Sequence, residues 1–370
     1  MILADQGADV IKVEPTSGDI IRHLGTGTKA MSSYFANLNR SKRSIAVNLH
    51  EPKSRPVLEA LLDSADVVVQ SFRPSAAKRL GLDAPNVVPN RPALIYASIV
   101  GFGGKGPYAG RPVYDHVVQA LSGMADLQRE SLDDVPHLVR HGLIDKSTGY
   151  VLAESVCAAF IERLTSGVGT TLEINMLDVA VSFLWPDGMM DHTALKPEFR
   201  RPSVATTFRL TPTLDGHVAL VVLKQEQWDA LIKTLEMDTT VEAFQGPDPG
   251  SGATPGQVLR AARKIMARMP TDEVVQRLSD ADVPCAPVLT PERMVTHPQI
   301  VANETLIEYE HPLVGPIRQP QAVPRFASMA KVPVMPAPGL GGSSREIMAE
   351  IGVAASTIEE LIASGTVVAE

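Results

Sequence analysis

The 370-residue chain is 44% hydrophobic and 21% charged, which is enough apolar material for a full core and predicts two folded domains. Its 34 basic and 42 acidic residues give a formal charge of −8, which argues against nucleic acid as the main partner. Only two cysteines occur, far apart, so we expect neither a disulfide framework nor a metal site, and a reducing cytoplasm is the simplest compartment. Because no apolar run reaches the ~20 residues that span a bilayer, no membrane partner is expected.

The first half of the chain alternates short β-rich runs with helix-like segments. This pattern is typical of an α/β fold, in which helices cover both faces of a parallel sheet. A helix is predicted at residues 57–64, and strands are predicted at residues 8–14, 44–49, 66–69 and 94–100.

A long helix is predicted at residues 147–164, where apolar residues recur at three- and four-residue steps before Gly167. Residues 173–178 are predicted to form the next strand, followed by a helical run toward Trp185. The composition then shifts at residues 197–203, where we expect a smaller domain to begin.

The predicted smaller domain contains more turn residues than the first half. A strand is expected at residues 217–223 and a Pro/Gly-rich loop at residues 246–256. Residues 283–288 are predicted to form an edge strand, because their two prolines remove backbone donors that a central strand would need.

Asp145 directly precedes the predicted long helix and admits two interpretations. The residues alone favour a helix N-cap, since a carboxylate there accepts hydrogen bonds from the first free amides. The alternative is a nucleophile whose charge is stabilised by the helix N-terminus.

Other polar residues lie at the ends of predicted strands. Arg73 and Arg79 follow one of them, where ligands of parallel sheets bind, so they are candidates for holding phosphates as well as ordinary solvated arginines. The glycine-dense residues 101–106 form either a ligand-approaching loop or a plain turn. His116 is either a general base or, as is more common beside a helix start, a structural histidine.

Seven longer stretches match, in order, the motifs of a single protein family. They are LADQGADVIKVE (3–14), YFANLNRSKRSIAVNL (34–49), ADVVVQSFRPSAAKRLGL (65–82), ALIYASIVGFGGKGPYAGRPVYDHVVQALSG (93–123), GTTLEINMLDVAV (169–181), VPCAPVLTPERMVTHPQI (283–300) and LGGSSREIMAEIGVAASTIEELIASGTV (340–367). On these motifs the chain resembles the family III CoA transferases, which include formyl-CoA transferase, carnitine CoA-transferase and α-methylacyl-CoA racemase.

The resemblance implies a Rossmann-like large domain, a smaller α+β domain and an interlocked homodimer of ring-shaped subunits. Residues 1–195 would be the amino-terminal part of the CoA-binding domain, 196–310 the small domain, and 311–370 a segment returning to the large domain. A threaded dimer would leave the monomer little stability of its own. Family members begin with about two dozen more residues, so we expect the first strand to be missing and its apolar neighbours to be uncovered.

The resemblance also implies site residues. The family's catalytic aspartate falls on Asp145, and Arg73 and Arg79 would hold CoA phosphates. An acyl-CoA thioester and a free carboxylic acid are the implied substrates, with no permanently bound cofactor and no metal. The implied CoA contacts are Val47, Asn48, Leu49, His50, Ser71, Phe72, Arg73, Arg79, Val113, Tyr114 and Asp115.

The implied reaction moves CoA from an acyl-CoA to a free acid through an aspartyl anhydride and then an aspartyl-CoA thioester. Two alternatives stay open. One is an acyl-CoA racemase or epimerase; the racemase branch has a catalytic histidine at the position of Tyr114, so His116 would have to work with Asp145. The other is a CoA-binding protein without catalysis. The glycine-rich loop that covers the intermediate in formyl-CoA transferase has no recognisable counterpart in residues 185–209.

Overall fold

The computed structural model describes residues 1–131, 133–201, 203–238, 254–323, 326–327 and 334–369. The chain divides into two compact units, one of Met1–Thr193 with Glu304–Glu370 and one of Ala194–Asn303. Residues 246–253 of the predicted Pro/Gly-rich loop lie outside the described residues.

Strands and helices alternate through the first unit, as expected for an α/β fold. The strands are β1 (Val10–Glu14), β2 (Lys42–Val47), β3 (Val67–Gln70), β4 (Ile95–Val100), β5 (Thr171–Asn175), β6 (Thr211–Pro212), β7 (His217–Leu220), β8 (Cys285–Pro287), β9 (Leu306–His311), β10 (Gly315–Pro320) and β11 (Val367–Val368). The helices are α1 (Ile2–Asp5), α2 (Ser33–Asn39), α3 (Arg55–Ser64), α4 (Pro74–Leu80), α5 (Ala84–Val87), α6 (Asp115–Leu121), α7 (Met124–Leu127), α8 (Leu143–Ser166), α9 (Met176–Gly188), α10 (Met190–Thr193), α11 (Gln225–Thr234), α12 (Pro255–Met266), α13 (Thr271–Asp280), α14 (Pro291–Met294), α15 (Pro298–Ala302), α16 (Ser344–Glu350) and α17 (Ala355–Ala363).

Two three-stranded sheets organise the first unit. In one, β1 pairs in parallel with β2, and β11 pairs antiparallel with the other edge of β2. In the other, β3, β4 and β5 are all parallel and adjacent in chain order. The α/β architecture predicted from the alternating pattern is confirmed, and the parallel strands bring the loops after β3, β4 and β5 to one edge.

Helix α3 joins the cores of the two sheets. Val57 and Leu61, four residues apart, pack in the cluster that covers β2, while Leu58 and Leu62 pack in the cluster around Tyr96 of β4. Residues four apart share one helix face, so two adjacent apolar pairs give α3 two buried faces. The spacing of four leucine and valine residues therefore holds both sheets against a common helix.

One edge of β1 and one edge of β3 have no partner strand among the described residues. Val13 on β1 is 41% exposed and Val69 on β3 is 46% exposed. Side chains of parallel strands are ordinarily covered on both faces. Val13 and Val69 depart from this rule, so both strands present apolar surface to solvent in the single chain.

Helices α8 and α9 pack against each other and against β5, and α9 begins earlier than predicted. The predicted strand at residues 173–178 is wrong in its second half, because β5 ends at Asn175, paired with Val100, the last residue of β4. The Asn175 side-chain amide then donates to Asp178 Oδ2 at 2.7 Å, and α9 starts at Met176. The bond joins the N-cap residue of α9 to its first turn, whereas in a continued strand these two side chains would point to opposite faces.

The second unit contains a small antiparallel sheet in the order β6, β7, β8. Its core is formed by apolar residues of α11, α12 and α13 with Val218 of β7. Among the strands of the described residues, β8 pairs with β7 alone, so the edge position predicted from its prolines is confirmed.

Candidate active site

Asp145 lies in the first turn of α8. The helix begins at Leu143 and its N-cap residue is Gly142, so Asp145 is the third helical residue. The interpretation of Asp145 as the N-cap is therefore wrong. The preceding residue, Ile144, is fully buried, whereas the Asp145 side chain is exposed in the single chain.

The N-terminus of α8 is capped from another helix. Asp115, the first residue of α6, accepts hydrogen bonds through Oδ2 from the Ile144 amide at 2.7 Å and the Asp145 amide at 3.0 Å. The other oxygen of Asp115, Oδ1, accepts from Nε2 of Gln119. The Oε1 atom of Gln119 accepts from the Val139 backbone amide at 2.9 Å. Asp115 is only 3% exposed, so the carboxylate that forms this cap is shielded from water.

The surroundings of Asp145 disfavour its charged form. Although part of the side chain is exposed, burial raises the pKa of Asp145, and the negative charge of Asp115 raises this pKa further. Lys146 and His116 lower it, but the net direction is upward. A more basic carboxylate is a better nucleophile, so these surroundings suit covalent catalysis.

A cavity of about 170 Å³ lies at the carboxyl ends of β3 and β4. Four of the predicted CoA contacts come together there, because parallel strands deliver their following loops to one edge. These four are Ser71, Phe72, Arg73 and Val113. Gly101, Phe102, Gly103, Arg111 and Met176 also line the cavity.

Asp145, the predicted catalytic residue, does not line this cavity, and neither do the other seven predicted CoA contacts. Four belong to the end of β2 in the other sheet, one lies in α4, and two lie at the start of α6. Tyr114 is 77% exposed, whereas Asp115 is buried. These residues are Val47, Asn48, Leu49 and His50 after β2, Arg79 in α4, and Tyr114 and Asp115 at α6.

Arg111 is a cavity residue that is not among the predicted contacts. Its guanidinium lies 4.2 Å from the ring centroid of Tyr108, and this ring meets Phe102 edge-on at 5.1 Å. The stacked arrangement holds a second guanidinium in the cavity with Arg73. The available sequence signal was the glycine-dense loop with aromatic residues, which borders the cavity through Gly101 and Gly103.

The described part of the chain holds no group of three or more His, Cys, Asp or Glu residues arranged for a metal ion. Cys157 and Cys285 are both free thiols. Among the helices that the structure describes, none combines the length and apolar content needed to cross a membrane.

Known proteins resemble this chain over nearly its whole length. The family model described as CoA-transferase family III matches residues 1–344. A probable fatty acyl-CoA transferase of Mycobacterium tuberculosis is 29% identical, with 92% of this chain and 90% of that protein covered. A succinyl-CoA:mesaconate CoA-transferase of Haloarcula marismortui is 30% identical, with 96% and 93% covered. The crystal structure of a CAIB/BAIF family protein from Brucella suis matches with a TM-score of 0.79 at 25% identity, over 95% of this chain and 93% of that one. The chain therefore belongs to CoA-transferase family III.

Proposed function

We propose that this CoA-transferase moves CoA from an acyl-CoA donor to a free carboxylic acid, with Asp145 as the covalent carrier. The observation that carries the proposal is the placement of a carboxylate with a raised pKa in the first turn of α8. Ile144, the residue before it, packs in the same apolar cluster as Val113 and Met176, which line the cavity. Asp145 therefore directly follows a residue of the apolar cluster that borders the cavity, where we expect the thioester to bind.

The transfer proceeds through two exchanges at Asp145. A carboxylate oxygen of Asp145 attacks the thioester carbonyl carbon, the C–S bond breaks, and CoA leaves as thiolate, so that Asp145 and the acyl group form a mixed anhydride. The thiolate attacks the Asp145 carbonyl carbon, which releases the donor acid and leaves an aspartyl-CoA thioester. The acceptor carboxylate then attacks the carbonyl carbon of this thioester, the C–S bond breaks, and CoA thiolate and a second mixed anhydride result. The thiolate finally attacks the acceptor carbonyl carbon of that anhydride, and the C–O bond to Asp145 breaks, which restores the Asp145 carboxylate. Water must be excluded, because it would hydrolyse the anhydride.

Arg73 and Arg111 supply the positive charge of the cavity. Guanidinium groups bind phosphate through paired hydrogen bonds, so we assign both to the phosphates of CoA. Phe72 would border the nucleotide of CoA. Arg79 and the residues that follow β2 remain proposed contacts for other parts of the CoA moiety.

We also propose an interlocked homodimer with a Rossmann-like large domain (1–195 and 311–370) and a small domain (196–310). Helices α8 and α9 with β5 form an open cavity of about 590 Å³, in which Tyr150 is 61% and Phe183 is 55% exposed. Exposed apolar surface of this kind is typical of interfaces, and a second copy could also shield Asp145 from water. Two free thiols favour a reducing compartment, the cytoplasm.

The proposal is tested by trapping the intermediate. Protein is mixed with succinyl-CoA or a fatty acyl-CoA, with and without a dicarboxylate such as mesaconate, then treated with hydroxylamine and mapped by mass spectrometry. We expect modification of the Asp145 peptide in the wild type and none in Asp145→Asn, which should also lose turnover. Glu154→Gln, at an exposed position of the same helix, is the matched control and should behave like wild type. An unmodified Asp145 together with full turnover by Asp145→Asn contradicts the proposal.

The two alternatives give different results in the same preparation. Deuterium uptake at the α-carbon of acyl-CoA in heavy water, with no acid acceptor present, would indicate a racemase that uses Asp145 and His116. Tight CoA binding without exchange of labelled acid across a broad panel of acids would indicate a CoA-binding protein without catalysis.

A further inference from the structure

We propose that Asp115 is a positioning residue for the reaction: it anchors the first turn of α8 and keeps beside Asp145 a negative charge whose repulsion disappears when Asp145 becomes acylated. The inference rests on the proposed role of Asp145 as covalent carrier. It gives Asp115 a role other than the CoA contact that the family resemblance implied.

The first support is the use of the helix amides. A carboxylate in the first turn of a helix is usually stabilised by the free N–H groups there. In this chain Asp115 occupies two of them, the amides of Ile144 and of Asp145 itself. The Asp145 carboxylate accepts no hydrogen bond from the residues that the structure describes, so its charge lacks the stabilisation that its place in the helix would otherwise provide.

The second support is proximity. A Cβ atom built on Gly142 would lie 3.2 Å from Lys146 Nζ, 3.6 Å from Asp145 Oδ2 and 3.8 Å from Asp115 Oδ2, so the two carboxylates lie around one backbone position together with the Lys146 ammonium. The other charged groups that act on Asp145 are Lys146, whose ammonium donates to the Gly142 carbonyl, and His116. Burial and the Asp115 charge outweigh these two groups in setting the pKa of Asp145.

The third support is the charge balance of the reaction. When an Asp145 oxygen bonds to the thioester carbon, its negative charge passes to the departing CoA sulfur, and no proton is needed. Asp145 is then a neutral acyl group, both in the anhydride and in the aspartyl-CoA thioester. The fixed charge of Asp115 therefore disfavours the starting carboxylate relative to the covalent forms, which speeds acylation and increases the acylated fraction.

The test compares Asp115→Asn with wild type. The asparagine oxygen can still accept from both helix amides, but the charge is gone, and the asparagine nitrogen cannot accept the bond that Gln119 now donates. We expect the single-turnover rate of Asp145 acylation to fall about tenfold, within the range of directly coupled residues. The acid limb of its pH profile should move to lower pH, because the pKa of Asp145 falls. CoA affinity should stay within about twofold of wild type, whereas a true CoA contact would lose affinity.

Two further variants separate charge from structure. Asp115→Glu keeps the charge and should keep the acid limb, even if a longer side chain slows acylation. Glu154→Gln removes one charge from an exposed position of α8 and should change neither the acylation rate nor the acid limb of its pH profile. Thermal melting of each variant identifies loss of fold.

The outcomes distinguish this inference from the proposed function. Suppose that wild-type Asp145 is acylated. If Asp115→Asn then shows the same acylation rate and the same acid limb of the pH profile, or loses CoA affinity with an unchanged acid limb, the proposed role of Asp115 is wrong while Asp145 remains the carrier. If Asp145 is never acylated in wild type, both fail. Should Asp115→Asn not fold, the wild-type profile decides: an acid limb at or below the ordinary aspartate pKa of about 3.9 overturns the inference.

Discussion

The Arg22 guanidinium and the Glu14 carboxylate form a two-bond ion pair inside the first unit. Arg22 Nε lies 2.8 Å from Glu14 Oε2, and Nη2 lies 2.7 Å from Oε1, with both side chains at most 2% exposed. The Ser44 hydroxyl donates to the same carboxylate, and Arg22 also donates to the Pro338 carbonyl. Segments far apart in the sequence, including the chain that leads into α16, therefore meet at one buried charge pair.

Replacing Arg22 with alanine should destabilise the first unit strongly. Glu14 would keep a buried charge without its partner, a change that typically costs about 3–5 kcal/mol. Urea unfolding followed by circular dichroism measures the loss. Lys53→Ala breaks the exposed pair with Glu360 and should give no resolvable change. Similar midpoints for the two variants would show that the buried pair is not a main support.

His311 should make stability depend on pH near neutrality. The residue is 1% exposed; its Nδ1 accepts from the Leu313 amide at 3.1 Å, so Nε2 carries the proton and donates to the Ala337 carbonyl at 3.1 Å. Burial lowers the pKa of His311, and the Ala337 bond opposes this only in part. As pH falls, the unfolded chain therefore binds a proton at His311 at a higher pH than the folded chain does. The free energy of unfolding keeps its full value above about pH 6.5 and decreases as pH falls toward the folded-state pKa.

The measurement is the urea midpoint between pH 7.5 and pH 5 for wild type and His311→Gln. Glutamine cannot gain charge in this range, so the variant should be less stable at pH 7.5 but should show a flatter dependence. Equal slopes in the two proteins would assign the pH dependence to other groups.

Arg73 should matter more for CoA binding than Arg79. Arg73 lines the cavity after β3, while Arg79 lies in α4 outside it. A charge-assisted hydrogen bond contributes about 1.5–3 kcal/mol, so Arg73→Ala should raise KM for acyl-CoA at least about tenfold. Since phosphate binding persists in the transition state, kcat should change little. Steady-state kinetics of both alanine variants provide the comparison, and equal KM values would place the phosphates elsewhere.

Local sequence patterns predicted β1 to β4, the first part of β5 and most of α8, because apolar periodicity depends on neighbouring residues, but they predicted no strand at β9, β10 or β11. These patterns did not predict the cap of α8, because Asp115 lies 30 residues before Asp145 and contacts the helix only when α6 packs against it. Met176 was assigned to a strand because a short apolar run looks alike in either structure. Arg111 depends on stacking against Tyr108, a loop contact that has no periodicity. The α8 cap and the Arg111 position thus failed because tertiary contacts make them, whereas the end of β5 failed because its local pattern fits both structures.

Gly101 should be required for the shape of the cavity. A Cβ added there would lie 2.5 Å from Val113 Cγ1 and 2.7 Å from Val113 Cβ, far inside van der Waals contact. Gly101→Ala should therefore push Val113 from the apolar cluster that also holds Ile144, destabilise the unit by about 1–3 kcal/mol and weaken acyl-CoA binding. Gly104→Ala, where a Cβ meets no atom of the described residues within 4 Å, is the control and should be neutral. The double variant Gly101→Ala/Val113→Gly removes every Val113 atom that the new Cβ would meet and should be more stable than the sum of the two single losses predicts, measured by thermal melting. If the second substitution instead adds to the loss, the close approach of Gly101 to Val113 is not the cause.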